Sequence, residues 1–269
     1  MLSRTSVLAA ACFATMLPVW IGAQQTLQYD VVSIKPHRPG DTNQNVSSYA
    51  GKYDATNLSV KDILAGTYHV KSWLIFQLPP WAESMKWDIS AKVSDADEKQ
   101  LNTLTRDDRE AMMKQLLAEH FGLKLHTDTK LQPVFEMTVM PGGPTFKASP
   151  IPPPHKDGTM AKYPGASISN SNAHLSAKHL RMDGFAENLS YRVERTVVNR
   201  TNLNADFGYD LELSWTPEER SNGNDSGISA DAPPPIVEAV REQLGLKLSP
   251  TKADVPTLVI DHIQIPDAN

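Results

Sequence analysis

The pattern of hydrophobic and polar positions predicts a mixture of short strands and helices. A short strand is expected over residues 55–60, and residues 87–93 alternate between apolar and polar side chains, as expected of a half-buried strand. Helices are expected over residues 61–68 and 107–121, where apolar residues recur every three or four positions. A leading strand is expected to end near Pro36. This order of elements favours an α+β fold in which helices cover one face of small sheets.

The longer helix carries sequence signals at both ends. Thr105, followed three residues later by Asp108, is a capping-box signature. Gly122 suits the left-handed position that follows many helices, because glycine has no Cβ to clash there. Two β-rich segments, residues 123–127 and 134–140, are expected to follow the helix and to be joined by a turn.

The same order of elements recurs later in the chain. The sequence Gly-Leu-Lys-Leu at residues 122–125 returns at residues 245–248, an offset of 123 residues. Further upstream the offset is 122, so that Trp87 falls on Tyr209. Hydrophobic positions that keep this register predict an internal duplication. The expected architecture is two tandem copies of a βα-β-αββ motif, for which a pseudo-two-fold arrangement is one way to pack.

The first residues have the features of a secretory signal. Arg4 supplies a positive start, an apolar stretch covers residues 7–21, and small residues precede a cleavage site before Gln24. A membrane anchor is the alternative, but the apolar run is short and is interrupted by Pro18. We therefore expect an exported protein, periplasmic or extracellular, with no membrane span after cleavage. The single cysteine, Cys12, lies in the leader, so no thiol chemistry is expected in the mature chain.

Four parts follow from these patterns: a signal peptide (1–23), a leading strand with the first copy (24–140), a linker rich in proline and glycine (141–170), and the second copy (171–269). The linker composition is typical of a stiff, extended connector. In the second copy, a helix is expected to start at Asp231, with three prolines in its first turn, and to end at Gly245.

Composition and motifs exclude more chemistry than they support. The formal net charge is −5, and Lys and Arg are not clustered, so nucleic acid is not an expected partner. The eight histidines lack the spacing of metal ligands, and neither a phosphate loop nor a nucleophile elbow is present. No catalytic residue, metal or cofactor is therefore predicted. Ser249 and Lys252 match an S-x-x-K motif, but they follow a strand, so a turn is expected there.

A few residues remain as candidates for a site. Asp88 and Asp210 occupy equivalent positions, which leaves two interpretations open: an acid pair in a pseudo-symmetric cleft, or a role in strand and turn geometry. Trp73 has no apolar counterpart in the other copy and lies near His69, so His69 and Trp73 are the candidate binding residues at the surface. Core packing is the alternative for Trp73.

Several segments carry a resemblance to a known family. They are the sequences at residues 29–36 (YDVVSIKP), 55–58 (ATNL), 116–126 (LLAEHFGLKLH), 197–203 (VVNRTNL), 209–215 (YDLELSW) and 258–262 (LVIDH). Together they resemble a family of uncharacterised exported proteins expanded in soil acidobacteria. Similar domains are attached to membrane-bound zinc peptidases of the β-lactam-sensor type, which implies an extracytoplasmic sensing or binding role. The resemblance implies no catalytic residue.

The leading hypothesis is a non-catalytic binding or interaction module of the bacterial envelope, with an envelope protein as its partner and no identified small-molecule ligand. One alternative is an envelope hydrolase with a dispersed acid or Ser/His site. Another is a structural protein that associates with itself through exposed strand edges. A deep cleft with converging polar side chains would favour the hydrolase, and a flat apolar or edge-strand surface would favour binding.

Overall fold

A computed structural model describes residues 27–94, 101–150, 167–170, 173–217 and 233–266. The predicted signal peptide and Asp231 lie outside these residues. The helices whose two ends both lie in these ranges are α1 (Val60–Tyr68), α2 (Pro80–Ser84), α3 (Arg106–His120), α4 (Met182–Arg192) and α5 (Ile236–Leu244), with a 3₁₀ helix at Ser72–Leu74. The strands of the first half are β1 (Val31–Pro36), β2 (Asn45–Tyr49), β3 (Lys52–Ser59), β4 (Ile75–Phe76), β5 (Lys86–Lys92) and β6 (Lys124–Val139). The strands of the second half are β7 (Lys147–Pro150), β8 (Ser167–Asn170), β9 (His174–Leu180), β10 (Val197–Asn199), β11 (Phe207–Ser214) and β12 (Leu246–His262).

The helices and strands form an α+β fold, as the sequence predicts. Several local predictions are also confirmed. The Thr105 side chain accepts the N–H of Asp108, and the Asp108 carboxylate accepts the N–H of Thr105, which completes the capping box of α3. Gly122 and Gly245 both have positive φ, at 60° and 65°.

The strands form three four-stranded sheets. Their orders are β1-β5-β3-β2, β7-β11-β9-β8 and β10-β6-β12-β4. The first two orders correspond when β1 is matched with β7, β2 with β8, β3 with β9, and β5 with β11. In both sheets, the third strand of the order leads directly into a helix, α1 or α4. The two halves of the chain therefore have matching sheet topologies.

The third sheet joins the two halves through its long strands. β6 and β12 pair antiparallel, and Leu131 lies opposite Asp254 at the middle of their pairing. The short strand β4 of the first half pairs with β12, while β10 of the second half pairs with β6. Each half therefore donates its short strand to the long strand of the other half.

The two main hydrophobic cores also contain residues from both halves. Trp87 and Phe121 pack in the first core together with Leu258, which β12 contributes. Phe185 packs in the second core together with Met137, which β6 contributes. Because each long strand crosses from one core to the other, the halves are interlocked.

The turns expected inside the two β-rich regions are absent, and those predictions are wrong. β6 runs without a break through residues 128–133, and β12 runs through Ser249 and Lys252. Pro133 and Pro256 lie within the two long strands, and among the described residues no strand pairs with the outer edge of β6 at Pro133 or of β12 at Pro256. A proline is tolerated in such a position because no ladder hydrogen bond is required from its nitrogen.

The linker and the start of α5 also differ from expectation. Within the expected connector, β7 pairs with β11, and Phe146 packs edge-on against Tyr209 with ring centroids 5.5 Å apart. The helix predicted to begin near Asp231 starts only after the prolines, with Pro235 as its N-cap. A residue that precedes proline is disfavoured in the helical region, so consecutive prolines hold the chain extended.

Candidate functional site

Three cavities adjoin one another along α1, and His69 lines all three. The first, with a volume of 460 Å³, lies between β2, β3, α1 and α3 and is called the Arg109 cavity. The second, of 370 Å³, lies between the end of α1 and β12 around Thr257. The third, of 570 Å³, lies between α1 and α4 beside Tyr191. We call the three cavities together the His69 groove.

His69 reaches this junction because it ends α1 in a left-handed conformation. Its φ is 51°, which is unfavourable for a residue with a Cβ. Its Nε2 lies 2.5 Å from Glu110 Oε1, and Arg106 Nη2 lies 3.0 Å from the same ring nitrogen. Glu110 also accepts a hydrogen bond of 2.8 Å from Arg106 Nε. The hydrogen bond with His69 holds the pKa of Glu110 below its usual range, with Arg106 acting in the same direction.

The Arg109 cavity combines an apolar wall with two arginines, Arg106 and Arg109. Its apolar side chains come from β2, β3, α1 and α3: Val46, Leu58, Ile63 and Met113. Arg109 is half-buried, and its Nη1 donates a 2.7 Å hydrogen bond to the carbonyl of Leu104. Tyr53 also lines the cavity, and burial raises the pKa of Tyr53 to about 12. Its hydroxyl therefore stays protonated at physiological pH.

The carboxylates of the groove are already paired with basic side chains. Arg106 pairs with Glu110 at 2.8 Å, as described above. Lys86 Nζ lies 3.1 Å from Asp62 Oδ2. Lys71 Nζ lies 2.7 Å from Glu187 Oε2, which ties the end of α1 to α4. Within the described part of the chain, Arg109 makes no such ion pair.

Trp73, the second binding candidate from the sequence, lies behind the wall of the groove. Its indole packs edge-on against Tyr191, with ring centroids 5.8 Å apart. It is half-buried beside a small cluster of Leu74, Val134 and Val255. Its Nε1 is buried and has no hydrogen-bond partner among the residues that the structure describes. Trp73 therefore supports Tyr191, whereas His69 faces the cavities directly.

A Ser/His/Glu cluster lies on the second sheet. Ser214 Oγ lies 2.9 Å from His174 Nδ1, and His174 Nε2 lies 3.3 Å from Glu212 Oε2. Glu212 Oε1 accepts a 2.6 Å hydrogen bond from Ser176. These residues are direct cross-strand neighbours of β9 and β11. Contacts of this kind are usual between exposed neighbours on one face of an antiparallel sheet.

Asp88 and Asp210 lie in different sheets, on β5 and β11. Each accepts the backbone N–H of a residue on the adjacent strand. The structure therefore supports the interpretation in terms of strand geometry. The acid pair is wrong, because the two carboxylates lie in different sheets and each accepts a backbone N–H within its own sheet.

Arg109 was missed at the level of sequence, although a signal for it exists. Arg106, Arg109, Glu110 and Met113 recur at three- and four-residue spacings, so they share one face of α3. Because Met113 on this face is buried, the charged side chains beside it are expected to lie at the edge of the hydrophobic core.

The described ranges contain neither a metal-binding cluster nor a membrane-spanning helix. They contain no group of three or more histidine, cysteine, aspartate or glutamate side chains placed to hold a metal ion. They also contain no helix with the length and apolar character needed to cross a membrane.

Comparison with known proteins identifies the family. Residues 35–263 match the family model described as "Protein of unknown function (DUF3738)". The chain therefore belongs to this family. Among curated proteins and solved structures, no significant match is found.

Proposed function

We propose that this member of the family is a non-catalytic, extracytoplasmic binding module of the bacterial envelope, and that its binding site is the His69 groove. The carrying observation is that His69, held in a left-handed conformation, lines three adjoining cavities. Cavities of 300–1,000 Å³ with apolar walls and a few polar groups are typical ligand sites. A residue other than glycine with a positive φ is uncommon and is found at helix ends and at functional sites. Export is supported by the secretory pattern of residues 1–23.

We also propose that the chain arose by internal duplication and that one half then acquired the groove. The matching strand orders and the reciprocal pairing of β4 and β10 support the duplication. α3 has 15 residues and α5 has nine, although both precede equivalent glycines. The extra residues of α3 therefore lie at its N-terminal end, where Arg106, Arg109 and Glu110 are found. Glu110 corresponds, at the offset of 123, to Pro233, which precedes α5 and is not helical.

A steric block in the groove tests the proposed site. Gly66 is an exposed residue of α1 that lines two of the cavities, and a Cβ built there meets no atom within 4 Å. Gly66→Trp therefore fills the groove without displacing the fold. Ala118→Trp adds the same side chain to an exposed position of α3 outside the groove and serves as the matched control.

The measurement is saturation-transfer NMR with a library of carboxylates, amines, sugars and short peptides. We expect a set of ligands that bind the wild-type chain and Ala118→Trp but not Gly66→Trp. The groove is not the site if the same ligands bind Gly66→Trp equally well. A wild-type chain that binds no member of the library contradicts the proposal for small ligands.

The Ser214–His174–Glu212 contacts are the observation that favours a hydrolase as the second candidate. Hydrolysis of p-nitrophenyl acetate, compared between the wild-type chain and Ser214→Ala, separates the two functions. An esterase activity that Ser214→Ala abolishes would establish the hydrolase. Equal rates for both chains would leave the exposed cluster as a cross-strand contact.

A further inference from the structure

The Arg109 cavity indicates a specific class of ligand, and this inference rests on the proposed function. We propose that the cavity binds a small organic acid, with one carboxylate held by Arg109 and an apolar body packed against β2, β3, α1 and α3.

Among the charged side chains that line the cavity, Arg109 forms no ion pair in the described ranges. Asp62 and Glu110 line the cavity, and both already have a basic partner. Arg109 is half-buried in the same wall without a carboxylate partner in the described ranges. A partly buried charge is costly unless it is paired, so a ligand carboxylate would satisfy the guanidinium. Arginine presents a planar fork of N–H donors that matches the two oxygens of a carboxylate.

A single negative charge fits this site better than two. Arg109 interacts electrostatically with the neighbouring Asp108 but forms no ion pair in the described ranges. A phosphate dianion would bring a second negative charge into a cavity that Glu110 and Asp62 also line. The second charge of a dianion would be repelled by the carboxylates of Glu110 and Asp62, so the site favours a monoanion. A monocarboxylate is the common small molecule with this charge.

Hydroxyl groups near Arg109 provide further donors. Ser48, Tyr53 and Thr67 line the cavity. Tyr29 is 7% exposed, lies beside Ser48 and is within electrostatic range of Arg109. An acceptor that enters beside Arg109 would find several donors in one region.

The apolar side chains of the cavity determine what the rest of the ligand, beyond its carboxylate, consists of. Val46, Leu58, Ile63 and Met113 supply apolar surface, and Ile63 and Met113 are almost fully buried. A hydrocarbon chain or an aromatic ring gains by leaving water for such a wall. The ligand class is therefore an aliphatic or aryl-alkyl monocarboxylate.

Isothermal titration of the full mature chain with 4-phenylbutyrate and with its neutral amide tests this class. Two variants isolate the charge: Arg109→Gln and Arg109→Lys both keep an N–H donor for the carbonyl of Leu104, and only the lysine keeps the positive charge. Arg200→Gln removes an equivalent charge from an exposed position outside the cavity. Urea unfolding of each variant verifies that its fold is retained.

We expect 4-phenylbutyrate to bind the wild-type chain, Arg200→Gln and Arg109→Lys, and to bind Arg109→Gln about tenfold more weakly. The amide should bind the wild-type chain about tenfold more weakly than the acid. Equal affinities for acid and amide, or an unchanged affinity in Arg109→Gln, overturn the ligand class. If Gly66→Trp still abolishes the binding of 4-phenylbutyrate in that case, the groove remains the binding site and only the proposed preference for a carboxylate is wrong. Failure of the acid to bind at all also overturns the class, while the library comparison above decides the groove independently.

Discussion

Asp88 and Asp210 stabilise equivalent backbone kinks, one in each of two sheets. Asp88 Oδ1 accepts the N–H of Asn57 at 3.0 Å, and Asp210 Oδ1 accepts the N–H of His179 at 2.9 Å. Asn57 and His179 have φ values of 58° and 52° and lie where the strand register shifts. A left-handed residue at such a bulge leaves its N–H out of the ladder, and the carboxylate on the neighbouring strand satisfies it.

Loss of either carboxylate is expected to destabilise the fold. Asp210→Ala should lower the free energy of unfolding by about 1 kcal/mol, because a hydrogen bond to a charged group is lost from a partly exposed site. Asp88→Ala should lower it by at least as much, because Asp88 Oδ1 also lies 2.7 Å from His37 Nδ1. Urea unfolding at pH 7 measures the change. Asp254→Ala, at an exposed position of β12, is the control and should change stability by less than about 0.5 kcal/mol. Equal effects at all three positions would contradict the assigned role.

Acid is expected to destabilise the protein through its hydrogen-bonded carboxylates. The N–H of His179 holds the pKa of Asp210 below its usual range, and the Thr105 hydroxyl does the same for Asp108. A carboxylate with a lower pKa in the folded chain stabilises the fold above its unfolded pKa, about 3.9, and loses this contribution as the pH falls through the folded pKa. Urea midpoints should therefore stay high down to about pH 5 and fall below about pH 4. Asp210→Asn should flatten that fall, and an unchanged slope would contradict the argument.

Substitution of Gly66 by alanine is expected to stabilise the protein. Gly66 lies inside α1, its φ is not positive, and a Cβ there has open space. Alanine should raise the free energy of unfolding by about 0.5–1 kcal/mol, because it reduces the conformational entropy of the unfolded chain. Thermal unfolding measures the gain. A lower midpoint would show that the flexibility of glycine is needed at this position.

The interlocked cores are expected to unfold together. Met137→Ala should cost roughly 2–5 kcal/mol, because it opens a cavity in the second core from a strand that belongs to the first half. Hydrogen exchange read by mass spectrometry should show β3 and β11 losing protection at the same urea concentration. Leu131→Ala, at a side chain that is 61% exposed, is the control and should have little effect. Loss of protection in β11 alone would mean that the halves unfold independently.

Much of the local structure could be predicted from the sequence. α1, α3 and β5 lie within one or two residues of their predicted bounds, since periodicity, caps and glycine positions act over a few residues. The two long strands could not be predicted. Pro133 and Pro256 favour turns when only near neighbours are considered, but they are tolerated where the sheet leaves an outer edge free.

The candidate site was predictable only in part. His69 was selected for its proximity to Trp73, and the structure places it at the junction of the three cavities. Trp73 supports Tyr191 from behind, and no sequence spacing relates those two residues. The role of Arg109 depends on which carboxylates lie near it. The sequence does not show which residues that are far apart in the chain are neighbours in space.

The sequence by itself determined the α+β class, the helix caps and the repeated order of elements, because these follow from interactions between residues a few positions apart. Only the tertiary structure decided that β4 pairs with β12, that Lys71 meets Glu187, and that Arg109 is the cation of the groove without a carboxylate partner in the described chain. Such contacts join groups separated by up to well over a hundred residues. Their formation depends on how whole sheets pack, and no local pattern encodes that packing.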